Sequence, residues 1–281
     1  QVDALIPITQ SIPTNRFTSW SEVSLTAWDT LGSKGRGFID QITSSEDFEY
    51  FFPGEEYTKP LRVYVGLNSA ETLDERAELL LSEMIRVGAF SRSTLVLVTP
   101  TWTGWIDPKS IHALELLLKW DVATVWVQYS YLPSWLTLLS DYEAWEESAR
   151  RVFEVVYAYW SALPDYNRPE LYLHWLSLGS RHSEVSSDIW DIIWDPYAWA
   201  LWVGPTYWNE LWNRFTRQRN TQSPFITPTY WDDTLVRFFT QFGTSSDISK
   251  DWWIFRILYF QYASDAVTFF SPQSFWRTPE W

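Results

Sequence analysis

From Leu61 onward the chain alternates short apolar runs with amphipathic stretches, and this rhythm most constrains its fold. LRVYVGL (Leu61–Leu67), TLVLVT (Thr94–Thr99), TVWVQY (Thr124–Tyr129), Glu170–Leu176, Ala200–Val203 and FRILYFQ (Phe255–Gln261) read as strands. They are apolar without strict alternation, the pattern of strands covered on both faces. Helix patterns separate them. Thr72–Gly88 puts Leu73, Ala77, Leu80, Leu81 and Met84 on one side, with Gly88 past its end. Pro108–Trp120 has Asp107 as N-cap and Pro108 in its first position. Tyr142–Leu163 turns Ala144, Ala149, Val152, Val155, Val156 and Tyr159 inward, and Arg181–Ile193 and Tyr207–Arg217 follow. Such alternation predicts the α/β class, a mostly parallel sheet with helices on both faces. Residues 1–60, with scattered Pro, Ser, Thr and Gly, are expected to form an irregular N-terminal arm packed on the core. Residues 61–281 form the main domain, with an irregular insertion near 218–251.

Composition excludes several functions. A net charge of −14 and a pI near 4.6 leave no basic surface to neutralise phosphates, so no nucleic-acid partner is expected. The absence of Cys removes disulfides, thiolate metal sites and a cysteine nucleophile. The three histidines, His112, His174 and His182, are scattered without zinc-ligand spacing, so no metal is expected. No glycine-rich phosphate loop occurs, so no nucleotide cofactor is expected. The chain opens at Gln1 with no signal peptide and no apolar run of about 18 residues. Any membrane-spanning segment is therefore expected outside these residues.

The stretch LYLHWLSLGS (Leu171–Ser180) carries the chemistry. A buried strand that turns sharply into a helix can present a serine at the bend, at the C-terminal edge of the sheet where open α/β sheets place their sites. The pattern for such a bend is G-x-S-x-G; here Gly179 fits and Trp175 stands at the first glycine. Ser177 is then a candidate nucleophile, with N-cap of the next helix as the alternative. In the fold class where this bend occurs, an acid follows the second strand beyond the serine. Counting along the chain, that strand is Phe255–Gln261 and the loop after it holds Asp265. Asp265 is also readable as a turn or capping aspartate. The loop Pro100–Pro108 follows the strand two before the serine, where one oxyanion donor belongs. Backbone N–H groups near Thr101 and Trp102, together with that of Leu178, are the candidate donors.

The segments LGSKGRGF (Leu31–Phe38), Leu61–Leu79, TPTWTGWIDP (Thr99–Pro108), Asp121–Trp135, SLGS (Ser177–Ser180), ALWVGP (Ala200–Pro205) and SDAVTFFSP (Ser264–Pro272) resemble an actinobacterial family of membrane-anchored α/β-hydrolases. The resemblance implies an α/β-hydrolase fold, Ser177 as nucleophile, Asp265 as acid and a general-base His in a segment after Trp281. It also implies membrane association through a segment outside this chain. The chain departs from that family at Trp102, Trp120, Trp175 and Trp199, where the family has Gly, and at Leu176 and Tyr262, where it has Glu and His.

The expected function is a serine hydrolase acting on a small-molecule ester or lipid-like substrate. A catalytically inactive binding module that uses an aromatic surface, given 21 Trp, is the alternative. A glycoside hydrolase built on Asp107 and Asp265 is the third reading, least favoured because Asp107 is better explained as a helix cap. His174 reads as a core residue, His112 as structural, and His182 precedes the acid where a base should follow it.

Overall fold

A computed structural model describes residues 13–16, 18–99, 104–128, 142–177, 180 and 195–278. The chain divides into two compact units, Gln1–Leu171 and Tyr172–Trp281.

In the first unit β1 (Leu61–Val65), β2 (Thr94–Thr99) and β3 (Val122–Val127) run parallel in the order β1-β3-β2. Every residue of β2 and β3 is buried, as their unbroken apolar sequences require. Strand β3 starts and ends two residues before the predicted Thr124–Tyr129, and Tyr129 lies outside the described residues. Helix α3 (Leu73–Val87) begins at a capping box between Thr72 and Glu75 and ends at Gly88, whose φ of 80° suits a residue without Cβ. It packs Ala77, Leu80, Met84 and Val87 inward, on β1 and β3.

Residues 1–60 are more regular than the sequence suggested. They contain α1 (Ser33–Asp40) and α2 (Ser45–Phe51). A capping box between Ser44 and Asp47 starts α2, and Phe48 is fully buried against Trp120. Helix α1 lays Phe38 edge-on to Trp126, and Gly35 lies close to the Tyr64 ring, where a Cβ would come within 2.7 Å. Helix α4 (Pro108–Leu117), capped by Asp107, stops three residues short of the predicted Trp120. Lys119 and Trp120 take left-handed conformations (φ 48° and 64°) so that the indole can enter the aromatic cluster of Phe48 and Tyr57. Helix α5 spans Tyr142–Ser161.

Two charged clusters are buried in this unit. Arg62 on β1 pairs with Glu115 on α4 at 2.7 Å, and Thr43 donates to the same carboxylate. Glu83 on α3 accepts from Arg86, Ser24 and the Leu25 N–H. Burial pushes the Glu83 carboxyl up, but these hydrogen bonds outweigh it and hold it below its ordinary value.

In the second unit β4 (Glu170–Leu176, entering it at Tyr172), β5 (Trp199–Val203), β6 (Val236–Phe239) and β7 (Arg256–Phe260) run parallel in the order β4-β5-β7-β6. Strand β6 corrects the reading of 218–251 as irregular: four residues of that stretch pair with β7. The run Val236–Phe239 is too short to announce itself by periodicity. Helix α6 (Glu210–Arg217) starts three residues after the predicted Tyr207, and α7 (Ala266–Phe269) is a single turn. The predicted helix Arg181–Ile193 lies outside the described residues.

Trp175, Trp202, Tyr259 and Phe238 are register neighbours across all four strands, and all are buried. Tyr259 lies 5.1 Å from Trp202 and 4.9 Å from Phe238, ring centre to ring centre. Trp175 thus replaces the pattern's glycine by joining an aromatic row on the sheet, where an extended strand accepts a large side chain. Parallel strands alternating with helices confirm the α/β class. Among the described residues, no helix is long and apolar enough to cross a membrane.

Candidate active site

Strand β4 ends at Leu176, and Ser177 turns the chain with a φ of 57°. An L-residue in this left-handed region carries strain that only its surroundings can hold, and such residues gather at sites of function. The surroundings are hydrogen bonds. The Ser177 N–H donates to the Val203 carbonyl at 2.7 Å, extending the β4–β5 ladder by one step. Its carbonyl accepts from the Ser180 N–H at 2.9 Å and from the Ser180 hydroxyl at 2.7 Å. The serine itself is half-buried, whereas Ser180 is fully buried.

Behind Ser180 lies a polar pair that sequence reasoning missed. Asn209 donates from Nδ2 to the Ser180 hydroxyl at 2.8 Å. Its Oδ1 accepts from the Thr206 N–H at 2.9 Å and from the Thr206 hydroxyl at 2.7 Å. Asn209 and Thr206 have no exposed surface. They lie in the loop between β5 and α6, and their only sequence signal was an Asn directly before a helix start.

Asp265 follows β7 and caps α7, its Oδ1 accepting the Val267 N–H at 2.9 Å. The other oxygen, Oδ2, faces Gly204: a Cβ on that glycine would lie 3.4 Å from it. Gly204 has a φ of 60° and donates its N–H to the Phe260 carbonyl, so its backbone runs between β4 and β7. Ser177 and Asp265 therefore lie against consecutive residues, Val203 and Gly204, at the C-terminal end of β5. Among the described residues Oδ2 accepts no hydrogen bond, which leaves it able to take one from a basic group. The counting that led to Asp265 needs a correction. Strand β7 is third after β4 in the chain because β6 intervenes, but it is second from β4 in space.

The remaining candidates are placed as follows. Thr101, Trp102, Leu178 and His182 lie outside the described residues. His174 is buried within β4. His112 is partly exposed, with Nε2 4.0 Å from Asp47 Oδ2. The Asp47 carboxyl is held below its ordinary value chiefly by the Ser44 hydroxyl, with His112 adding a little. Asp107 accepts the Lys109 N–H as the cap of α4. Burial pushes the Tyr207 phenol up, and the Tyr207 N–H donates to the Val267 carbonyl at 3.0 Å. Among the described residues no group of three or more His, Asp or Glu could hold a metal ion.

A family model described as the alpha/beta-hydrolase family matches residues 61–281. The chain belongs to the α/β-hydrolase family. No curated protein and no solved structure matches it. Membership of the α/β-hydrolases agrees with the parallel strands and with a strained serine at the end of one of them.

Proposed function

We propose that this α/β-hydrolase is a serine hydrolase acting on an ester or lipid-like substrate. Ser177 Oγ attacks the carbonyl carbon, and a general base takes its proton. The resemblance supplies a His C-terminal to the acid as that base; His112, His174 and His182 all precede Asp265 in this sequence. Asp265 Oδ2 accepts from that imidazole, fixing its tautomer and stabilising its charged form. The N–H of Leu178, the residue after the nucleophile, receives the oxyanion. The leaving alcohol takes the proton back from the base, and water then releases the acyl group by the same route.

The observation that carries this reading is Ser177, left-handed at the end of β4 and sharing the end of β5 with Asp265. A lipid-like substrate is supported by the apolar surface around Asp265. Tyr262, Val267 and Phe270 are 40–45 % exposed, and Phe275 and Trp276 more than 70 %. Clustered exposed apolar side chains of this kind mark ligand or membrane contact. The same surface supports a location at a membrane.

A fluorophosphonate probe tests the proposal. Peptide mass spectrometry should find the label on Ser177, and Ser177→Ala should remove it. Intact protein that takes no label leaves the binding-module reading. That reading draws on Trp231 and Trp253, 72 % and 62 % exposed, around a cleft of about 460 Å³.

A further inference from the structure

We infer that Asn209 is a positioning residue for the nucleophile, acting through Ser180. The inference rests on the reading of Ser177 given above. Thr206 presents an N–H, which can only donate, so the Asn209 atom facing it must be the carbonyl oxygen. That fixes the amide, and its NH₂ is aimed at the Ser180 hydroxyl. A hydroxyl that accepts from Asn209 still has its single hydrogen to place. The acceptor 2.7 Å away is the Ser177 carbonyl. With the Ser180 N–H, that carbonyl then takes two hydrogen bonds.

The consequence follows from backbone geometry. With the Ser177 N–H held by Val203 and its carbonyl held twice by Ser180, both sides of its Cα are fixed, and with them the direction of the Cα–Cβ bond that carries the hydroxyl. The chain Thr206, Asn209, Ser180 thus keeps Ser177 at a left-handed φ without a glycine and fixes the direction of its Cα–Cβ bond. The relay is neutral throughout, so it adds no charge beside the reacting atoms.

The rate of fluorophosphonate labelling reads this orientation, because the Ser177 Oγ must attack the probe's phosphorus in line with the departing fluoride. Asn209→Ala and Ser180→Ala should each slow labelling by roughly 10- to 100-fold, less than the loss of a whole oxyanion donor. Ser180→Thr, which keeps the hydroxyl, should restore most of the rate. The double alanine variant should be no slower than Ser180→Ala alone, since one atom carries the effect of both residues. Asn209→Asp, which keeps the acceptor for Thr206 but loses the donor, replaces Asn209→Ala if that variant does not fold. Labelling of Asn209→Ala within about twofold of wild type, or independent losses that multiply in the double variant, would overturn the inference.

If the wild-type protein takes no label, the nucleophile reading fails, and hydrogen exchange decides the inference. Faster exchange of the Ser180 N–H in Asn209→Ala, with the rest of the unit protected, supports the clamp; unchanged exchange overturns it.

Discussion

Trp120 in the first unit and Ser177 in the second share a rare backbone state. Both are non-glycine residues with φ near 60°, at 64° and 57°, Trp120 three residues past the end of α4 and Ser177 directly after β4. Backbone hydrogen bonds hold both, and the side chains set them apart. Trp120 is fully buried against Phe48 and Tyr57, its ring centre 4.7 Å from each. Its backbone N–H donates to the Glu115 carbonyl and its carbonyl accepts from the Val122 N–H, each at 2.8 Å, while its indole N–H has no partner among the described residues. Ser177 is also held through its backbone, with its N–H on Val203 and its carbonyl on Ser180, but its side chain is only half-buried and its carbonyl takes a second bond from a side chain, the Ser180 hydroxyl. The comparison separates strain that serves the core from strain that serves a site. Strain by itself does not identify a functional residue. A left-handed residue becomes a candidate when its own polar group is left accessible and a polar network behind it fixes its direction.

The largest test of that distinction is at Trp120. Trp120→Ala should destabilise the protein by about 3–5 kcal/mol in urea unfolding, because a buried ring is lost and the left-handed strain stays. Trp120→Gly should be the milder change by about 1 kcal/mol, the reverse of the order found within helices. An alanine variant at least as stable as the glycine one would show that φ at this position relaxes freely. At Ser177 the order of consequences changes. Ser177→Gly should raise stability by about 1 kcal/mol, or roughly 2 °C in melting temperature, while ending probe labelling. A fall in stability would mean that the hydroxyl holds the turn, and the comparison would break. Gln222 is the reference, exposed and left-handed at 74° with no role in core or site. Gln222→Gly should add about 0.5 kcal/mol, the strain alone.

The sequence carried the alternation of strands and helices because buried parallel strands must be apolar throughout. Capping chemistry carried the ends of α3, where Thr72 and Gly88 sit as their side chains dictate. Longer-range effects were not legible. Helix α4 ends early because Trp120 is drawn into a cluster supplied by residues 48 and 57, far away in sequence. Helix α2 was hidden in an aromatic-acidic stretch, although Ser44 and Asp47 had the spacing of a capping box. Strand β6 is a strand only because β7 offers it an edge. At the site, Ser177 and Asp265 could be named from local pattern and strand order. Asn209 could not, since its partner Ser180 is 29 residues earlier and no spacing rule links them.

The buried tryptophans give the protein an optical property. Trp20, Trp28, Trp120, Trp126 and Trp175 are all under 10 % exposed, and their indole N–H groups find no acceptor among the described residues. An indole shielded from water and from hydrogen-bond acceptors emits toward the blue, whereas Trp231, Trp253 and Trp276, each more than 60 % exposed, emit toward the red and are open to quenchers. The two populations label different parts of the molecule. Trp175 reports the sheet that carries Ser177, and Trp276 reports the apolar surface beyond Asp265. A single emission spectrum, recorded with and without a water-soluble quencher, therefore distinguishes melting of the core from occupation of that surface.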